Sequence, residues 1–435
     1  MRKSATPPPH DPVSFLKSGK AVCMAPWVHA HLSSLGDFTP CCEIFEPVGP
    51  SDGKDIDTHW NSDEMAALRL AMLGDEPLSV CRKCADKEKA GLVSRRHKFN
   101  TEFSEQAHRL SATEPDGRLP ADLNPIDFDL RFSNLCNFRC RSCWHGASSR
   151  WFSDAAALRQ TKAPSAIITA GADRDRTLAQ AIDQLPNARS LYFAGGEPLL
   201  MREHYDLLEE LVRLRRTDVK LSYNSNLSTL NLGDRHVTDL WSHFDDIQVA
   251  VSLDGMGAIG ELIRKGLECS VLEKNIHTIR ERSPNVKLVL AVTVSVLNIF
   301  HIPALHAYAR ETLGFDASSI MLNPLQDPAH YNIQLLPREM KHRAASFLAN
   351  LAQTHPTASG PALDLVAYMW ARDRSKNISA FVRITDELDR LRGEDTFALI
   401  PELLPLRAIS ARLGTRWGRA SFRLREKLIA QPGTT

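Results

Sequence analysis

The chain has 435 residues, 43% of them hydrophobic and 24% charged, the make-up of a globular protein with room for two or three domains. Its formal net charge of +1 gives no global pull toward nucleic acid, a membrane surface or acidic ligands. No apolar run approaches the roughly 20 residues that span a bilayer, and the opening MRKSATPPPHDPVSFLKSGK lacks the apolar segment of a secretory signal, so a cytoplasmic protein without a transmembrane segment is expected.

Residues 1–20 are Pro-rich and polar and read as a flexible lead-in. Residues 21–100 carry five cysteines and one convincing helix, which starts at Ser62 as N-cap and spaces Met65, Leu68, Met72 and Leu73 along one face. The stretch 101–124, ending in TEPDGRLPADLNP, reads as a linker. From Ile126 strands and helices alternate. The strands are 126–132, 190–194, 220–224, 247–253, 286–296 and 320–325; helices are patterned at 204–216 and 271–282. This order implies parallel strands joined by right-handed crossovers. Six units are too few for a closed eight-stranded barrel, so the expected fold class is α/β: a partial (β/α)6 barrel over 125–336, with a flat doubly wound sheet as the alternative. After Pro337 the chain reads as helical, and residues 404–435 hold six arginines and one lysine against one acidic residue. Leu406, Ile409, Leu413 and Trp417 recur there at helical spacing, which suits a basic amphipathic helix or a plain solvated cap.

Eight of the nine cysteines precede residue 144, and in a cytosolic chain such clustering points to metal binding or redox work. Cys136, Cys140 and Cys143 follow the first barrel strand in a C-x3-C-x2-C spacing, at the strand edge where α/β enzymes build their sites. Three thiolates can hold three irons of a [4Fe–4S] cluster and leave the fourth open. A zinc site with His145 as fourth ligand, or inert buried thiols, are the alternatives. The second strand runs into AGGEP, whose Gly195 and Gly196 let a ligand approach the backbone while Glu197 offers a carboxylate to an ammonium group.

Together the cysteine triplet and the Gly-Gly-Glu-Pro turn resemble the radical S-adenosylmethionine (SAM) superfamily. The resemblance implies that Cys136, Cys140 and Cys143 hold the catalytic cluster and that Gly195, Gly196 and Glu197 receive the amino group of SAM. It further implies that Ser225, Asn226, Ser252 and Asp254, at the ends of the third and fourth strands, contact its ribose and carboxylate; simple strand capping is the plainer role for each. Arg264 is a candidate partner for the SAM carboxylate. Relatives place an aromatic or large apolar residue before the third cysteine to pack on adenine; Ser142 stands there, so Phe138 or Trp144 would have to supply that packing. The implied chemistry is reductive cleavage of SAM to a 5′-deoxyadenosyl radical, which abstracts hydrogen from a substrate.

At the front of the chain Cys23, Cys41, Cys81 and Cys84, with Gly36 and the Trp-Asn-Ser at 60–62, resemble the auxiliary-cluster modules called SPASM and twitch. Four cysteines suit the single-cluster twitch form, here preceding the barrel, and imply one auxiliary [4Fe–4S] cluster. Structural zinc is the alternative, and Cys42 could replace Cys41. Cys269 reads as a core thiol. The implied function is oxidation or cross-linking of a peptide, with the auxiliary cluster as electron acceptor and a flavodoxin or ferredoxin as donor. A carbohydrate-like or aminocyclitol substrate, or a non-catalytic iron–sulfur or zinc scaffold, are the rivals; nucleic acid is not an expected partner.

Overall fold

The computed structural model describes residues 11–44, 56–161, 163–170 and 174–412. It divides into two compact units: Met1–Arg139 with Cys143–Ser252 and Gly266–Ala291, and Cys140–Ser142 with Leu253–Lys265 and Val292–Thr435.

The strands, in chain order, are β1 (His29–Leu32), β2 (Phe38–Thr39), β3 (Asp127–Leu130), β4 (Ser190–Phe193), β5 (Lys220–Ser225), the small ribbon β6 (Asn231–Leu232) and β7 (Arg235–His236), β8 (Ile247–Ser252), β9 (Val286–Val294) and β10 (Ile320–Pro324). The main sheet runs β2-β1-β3-β4-β5-β8-β9-β10. From β3 onward each strand's neighbour is the next of the six expected strands, without the reversal that marks a doubly wound sheet. The printed pairs among β3, β4, β5, β8 and β9 are parallel. Leu191, Phe193, Leu221, Tyr223, Val249 and Val251 are buried along these strands, as expected for parallel strands covered by crossover helices. The helices patterned in the sequence form at Arg202–Arg213 and Cys269–Arg282. Cys269 opens the second of these half-buried, rather than lying in the core.

The N-terminal segment departs most from the sequence reading. Residues 12–18 of the expected lead-in form a helix, capped by the Asp11 side chain. β1 pairs in parallel with β3, His29 opposite Asp127, and antiparallel with β2, so this segment adds two strands to the sheet. HAHL is too short, and too rich in polar residues, to show as a strand by pattern. The stretch 101–124 is packed rather than loose, because Phe103, Leu110 and Leu119 join the same core as Val22, Met24, Trp27, Trp60 and Phe99. Ser62 caps helix Asp63–Leu73 by accepting from the Met65 N–H at 3.3 Å, and Met65, Leu68, Met72 and Leu73 face that core. Arg69 is wholly buried among them. It donates to the carbonyls of Pro26 (2.9 Å) and Trp60 (2.7 Å) and to Asn61 (3.1 Å), and lies 4.8 Å from the Trp60 ring; burial pulls its pKa down to about 9.

The second unit is mainly helical, with Arg338–Thr354, Ser359–Ala371 and Ile378–Arg392 burying Leu348, Leu351, Leu365, Met369, Phe381 and Leu388. Leu406 of the expected tail helix is buried and Ile409 half-buried, whereas Leu413 and Trp417 lie outside the described residues. Among the described residues no helix is long and apolar enough to cross a membrane.

Candidate functional site

The cysteine loop leaves β3 at Leu130 and is held to the turn after β4 through the backbone. The Glu197 N–H donates to Leu135 O at 2.7 Å and the Gly196 N–H to Ala147 O at 3.2 Å. A side chain on Gly196 would meet Leu135 O at 2.2 Å, and its φ of +52° is left-handed, so glycine is required where turn and loop touch. Within the loop the Asn134 side chain donates to His145 O (2.7 Å), Ser148 Oγ to Phe138 O (2.5 Å), and the Phe138 N–H to Cys136 Sγ (3.4 Å). Cys136 is buried and Cys143 half-buried. His145 is turned away from a zinc-ligand role: its ring nitrogens meet Thr161 Oγ1 at 3.2 Å and Ala166 O at 3.1 Å.

The strand-end residues are tied to one another. Glu197 is buried, and its carboxylate accepts from Ser225 Oγ (2.7 Å) and the N–H groups of Asn226 (2.7 Å) and Leu199 (3.2 Å). It thereby clamps the ends of β4 and β5, with three of roughly four acceptor positions engaged. Ser225 also accepts from the Leu227 N–H, and Asn226 donates to Asn137 Oδ1 in the cysteine loop at 3.0 Å. Ser252 ends β8 half-buried. Phe138 is buried against Gly266, where an added Cβ would come within 2.8 Å of its ring, while Trp144 is 54% exposed.

In the second unit Cys140 lies beside Arg264, whose Nη1 is 3.9 Å from the sulfur and whose Nε is 2.9 Å from Asp254 Oδ2, close but misaligned for a hydrogen bond. Burial raises the Cys140 pKa and the Arg264 charge opposes that rise. Asp254 is buried and accepts the Thr293 N–H at 2.7 Å. Arg141, next in sequence to Cys140, is fully buried; it pairs with Asp389 and, at 2.6 Å, with Glu394, and its N–H donates to Ile263 O at 2.7 Å.

The N-terminal thiols form a group of their own. Cys23 is pushed up to about 12 by burial and by the neighbouring charges of Cys84 and Cys81, and Cys81 to about 11 by burial and by Cys84. Cys41 is raised by burial, then by Cys42, Cys23 and Cys84. Thiols so placed keep their protons until a cation takes up the charge, which suits a metal cluster as fourfold partner. Among the described residues no three His, Cys, Asp or Glu side chains close round a single metal-ion position. Cys42, beside Cys41, also feels the charges of Arg95, Asp129, Arg131 and Glu43.

Residues 130–302 match the family model of the Radical SAM superfamily. Residues 23–85 match that of SPASM, an iron–sulfur cluster-binding domain. A radical SAM domain beside such a domain entails SAM, a [4Fe–4S] cluster and an auxiliary cluster as cofactors. No curated protein matches the chain in sequence. Among solved structures the chain is similar to anSMEcpe with bound AdoMet and the Cp18Cys peptide, with TM-score 0.38 and 19% identity over 53% of this chain and 59% of that one. It is also similar to Streptococcus suis SuiB bound to S-adenosylmethionine, with TM-score 0.35 and 12% identity over 68% of this chain and 62% of that one. The chain thus spans about three-fifths of the length of either structure.

The sequence reading missed His29, His31, Arg95 and Tyr192, which meet Asp127, Asp129 and Arg131 on one face of β1, β3 and β4. A signal was present in IDFDLRF: its alternate residues are charged, yet all four residues of β3 are buried.

Proposed function

We propose that this chain is a radical SAM enzyme that abstracts hydrogen from a peptide substrate, with net oxidation or cross-linking as the outcome. The observation that carries the reading is the backbone docking of the Gly-Gly-Glu-Pro turn onto the cysteine loop, at a glycine no other residue can replace. Cys136, Cys140 and Cys143 would hold the catalytic cluster, and Cys23, Cys41, Cys81 and Cys84 the auxiliary one. When bound, the catalytic cluster supplies the electron that cleaves SAM to methionine and a 5′-deoxyadenosyl radical.

The protein's own part is positioning. Glu197, Ser225 and Asn226 hold two strand ends and the cysteine loop in one network, so the turn presents its backbone in a fixed place. Gly195, Gly196 and Glu197 would receive the SAM amino group, and Ser252 and Asp254 its ribose and carboxylate. Arg264 lies 2.9 Å from Asp254 and beside Cys140, so it would position that end of the site as well as being a candidate partner for the SAM carboxylate. Cys41 is the auxiliary ligand favoured over Cys42, since it shares its field with Cys23 and Cys84. With all four thiolates engaged, the auxiliary site would pass electrons rather than chelate substrate. A flavodoxin or ferredoxin would be the electron donor.

The test is an anaerobic assay of reconstituted, reduced protein with SAM. 5′-Deoxyadenosine should form with the wild type and be undetectable with the Cys136→Ala, Cys140→Ala, Cys143→Ala triple variant. Equal formation by both would remove the reading.

A further inference from the structure

The backbones that carry Cys140 and Arg264 are joined. Arg141, next to Cys140, donates its N–H to Ile263 O at 2.7 Å, at the end of helix Gly257–Ile263, and Arg264 caps that helix with its own N–H on Gly260 O at 2.8 Å. The Arg264 side chain is 12% exposed; its Nη1 lies 3.9 Å from Cys140 Sγ and its Nε 2.9 Å from Asp254 Oδ2. Asp254 is itself fixed. Its carboxylate accepts the Thr293 N–H at 2.7 Å and its carbonyl accepts from the Asn298 side chain at 2.8 Å. The guanidinium is thereby held between a carboxylate that cannot move away and a ligating sulfur.

The balance of charge at this sulfur is positive. Arg264 exerts the largest charge effect on Cys140, the opposing effect of Asp254 is smaller, and Arg392 adds a second cation. Arg141 is nearer in sequence, but its guanidinium is taken up by Asp389 and Glu394. A cation beside a ligating sulfur favours whichever oxidation state carries more negative charge. Uptake of one electron adds one negative charge to an iron–sulfur cluster and its thiolates, so a positive N–H group at the sulfur raises the reduction potential. Burial strengthens the effect, because little water screens it. The step is one electron, taken from an external one-electron donor, and no bond forms or breaks.

We infer that Arg264 sets the reduction potential of the cluster that Cys140 ligates, with Asp254 as the counterweight that limits the rise. The inference rests on the cluster assignment above. It gives Arg264 a role that is complete before SAM binds, separate from any contact with the SAM carboxylate.

The test is a redox titration of the reconstituted full-length protein without SAM, monitored by electron paramagnetic resonance. The signal followed is the one that the Cys136→Ala, Cys140→Ala, Cys143→Ala triple variant lacks. In Arg264→Gln the midpoint should fall, so that at a fixed solution potential the reduced-to-oxidised ratio is at least tenfold lower, about 59 mV for one electron. Arg264→Lys keeps the charge and should recover part of that loss. Asp254→Asn removes the counterweight and should move the midpoint the other way, upward. Opposite signs separate a charge effect from a loosened loop, which would move both variants alike, and Asp254→Asn with Arg264→Lys reads the effect even if Arg264→Gln loads no iron. An unmoved midpoint in Arg264→Gln, or a fall in Asp254→Asn, overturns the role of Arg264. A signal that is present but indifferent to these substitutions removes that role alone. If the triple variant lacks no signal, the loop holds no cluster, and the cluster assignment falls together with the role built on it.

Discussion

The two cysteine groups are built in opposite ways. In the N-terminal group, Cys23, Cys41 and Cys81 pack against a hydrophobic core of Val22, Met24, Trp27, Trp60 and Met72, stiffened by the buried Arg69. The loop that carries Cys136 and Cys143 is held by hydrogen bonds to the turn after β4, and Cys140 sits beside an arginine anchored by two carboxylates. Non-directional packing suits a closed set of four ligands that only has to be kept together. Directional bonds suit a loop of three, which has to leave room for a ligand at a defined angle.

The largest effect expected from this contrast is in iron content. Cys81→Ala with Cys84→Ala should remove about four irons per chain and leave 5′-deoxyadenosine formation in place, whereas the loop triple variant should lose a similar number and all of that activity. Iron analysis beside the anaerobic assay checks both, after circular dichroism shows each variant folded. If either variant loses all its iron, the two groups are not independent.

Arg141→Met should cost about 3–5 kcal/mol in denaturant unfolding, because it strands Asp389 and Glu394 as buried carboxylates without their cation. A loss under 1 kcal/mol would mean that Lys265, 3.0 Å from Glu394, and the Thr396 donors to Asp389 already satisfy them.

How much of this was legible in the sequence differs between the regions. All six barrel strands were readable, since SLYF or VKLVLAVTV has a period and composition that little else explains. The cysteines and the glycine turn were readable as motifs because their chemistry is tied to residue type and spacing. The pairing of β1 with β3 was not, because a four-residue strand shows its partner only in three dimensions. Nor was the Arg141 anchor, whose partner Asp389 lies 248 residues away. Glu197 was read as facing a ligand, and the structure shows it clamping two strand ends.

That clamp gives a smaller prediction. Glu197→Gln keeps the shape but exchanges a carboxylate for an amide that cannot accept from Ser225 and Asn226 equally, and should lower stability by about 1.5–3 kcal/mol and weaken SAM binding without loss of iron. Calorimetry showing unchanged SAM affinity would confine Glu197 to the clamp.

A further effect is confined to acid. His204, behind the glycine turn, is buried against Phe193, Tyr205 and Tyr223, and burial lowers its pKa to about 3. Its folded value lies below the usual 6.5, so the unfolded chain binds the extra proton first. Stability is therefore complete above pH 6.5 and falls as pH drops toward 3, by about 1.4 kcal/mol per pH unit from this group. His204→Phe should flatten that slope by the same amount in urea midpoints taken between pH 4.5 and 6.5; an unchanged slope would show the ring is not buried in its neutral form.

The pairing of β1 with β3 also bears on how the chain is made. His29 meets Asp127, 98 positions further along the chain, so the first strand waits for its partner while the ribosome adds the stretch between, about 5–20 s at ordinary rates. Cys23 and Cys41 leave the ribosome first, Cys81 and Cys84 follow, and β3 comes later still. During that interval the early thiols are unshielded by the sheet and open to oxidation or to whatever metal is at hand. A newly made chain thus exposes its N-terminal thiols for longest in the interval before residue 130 has emerged.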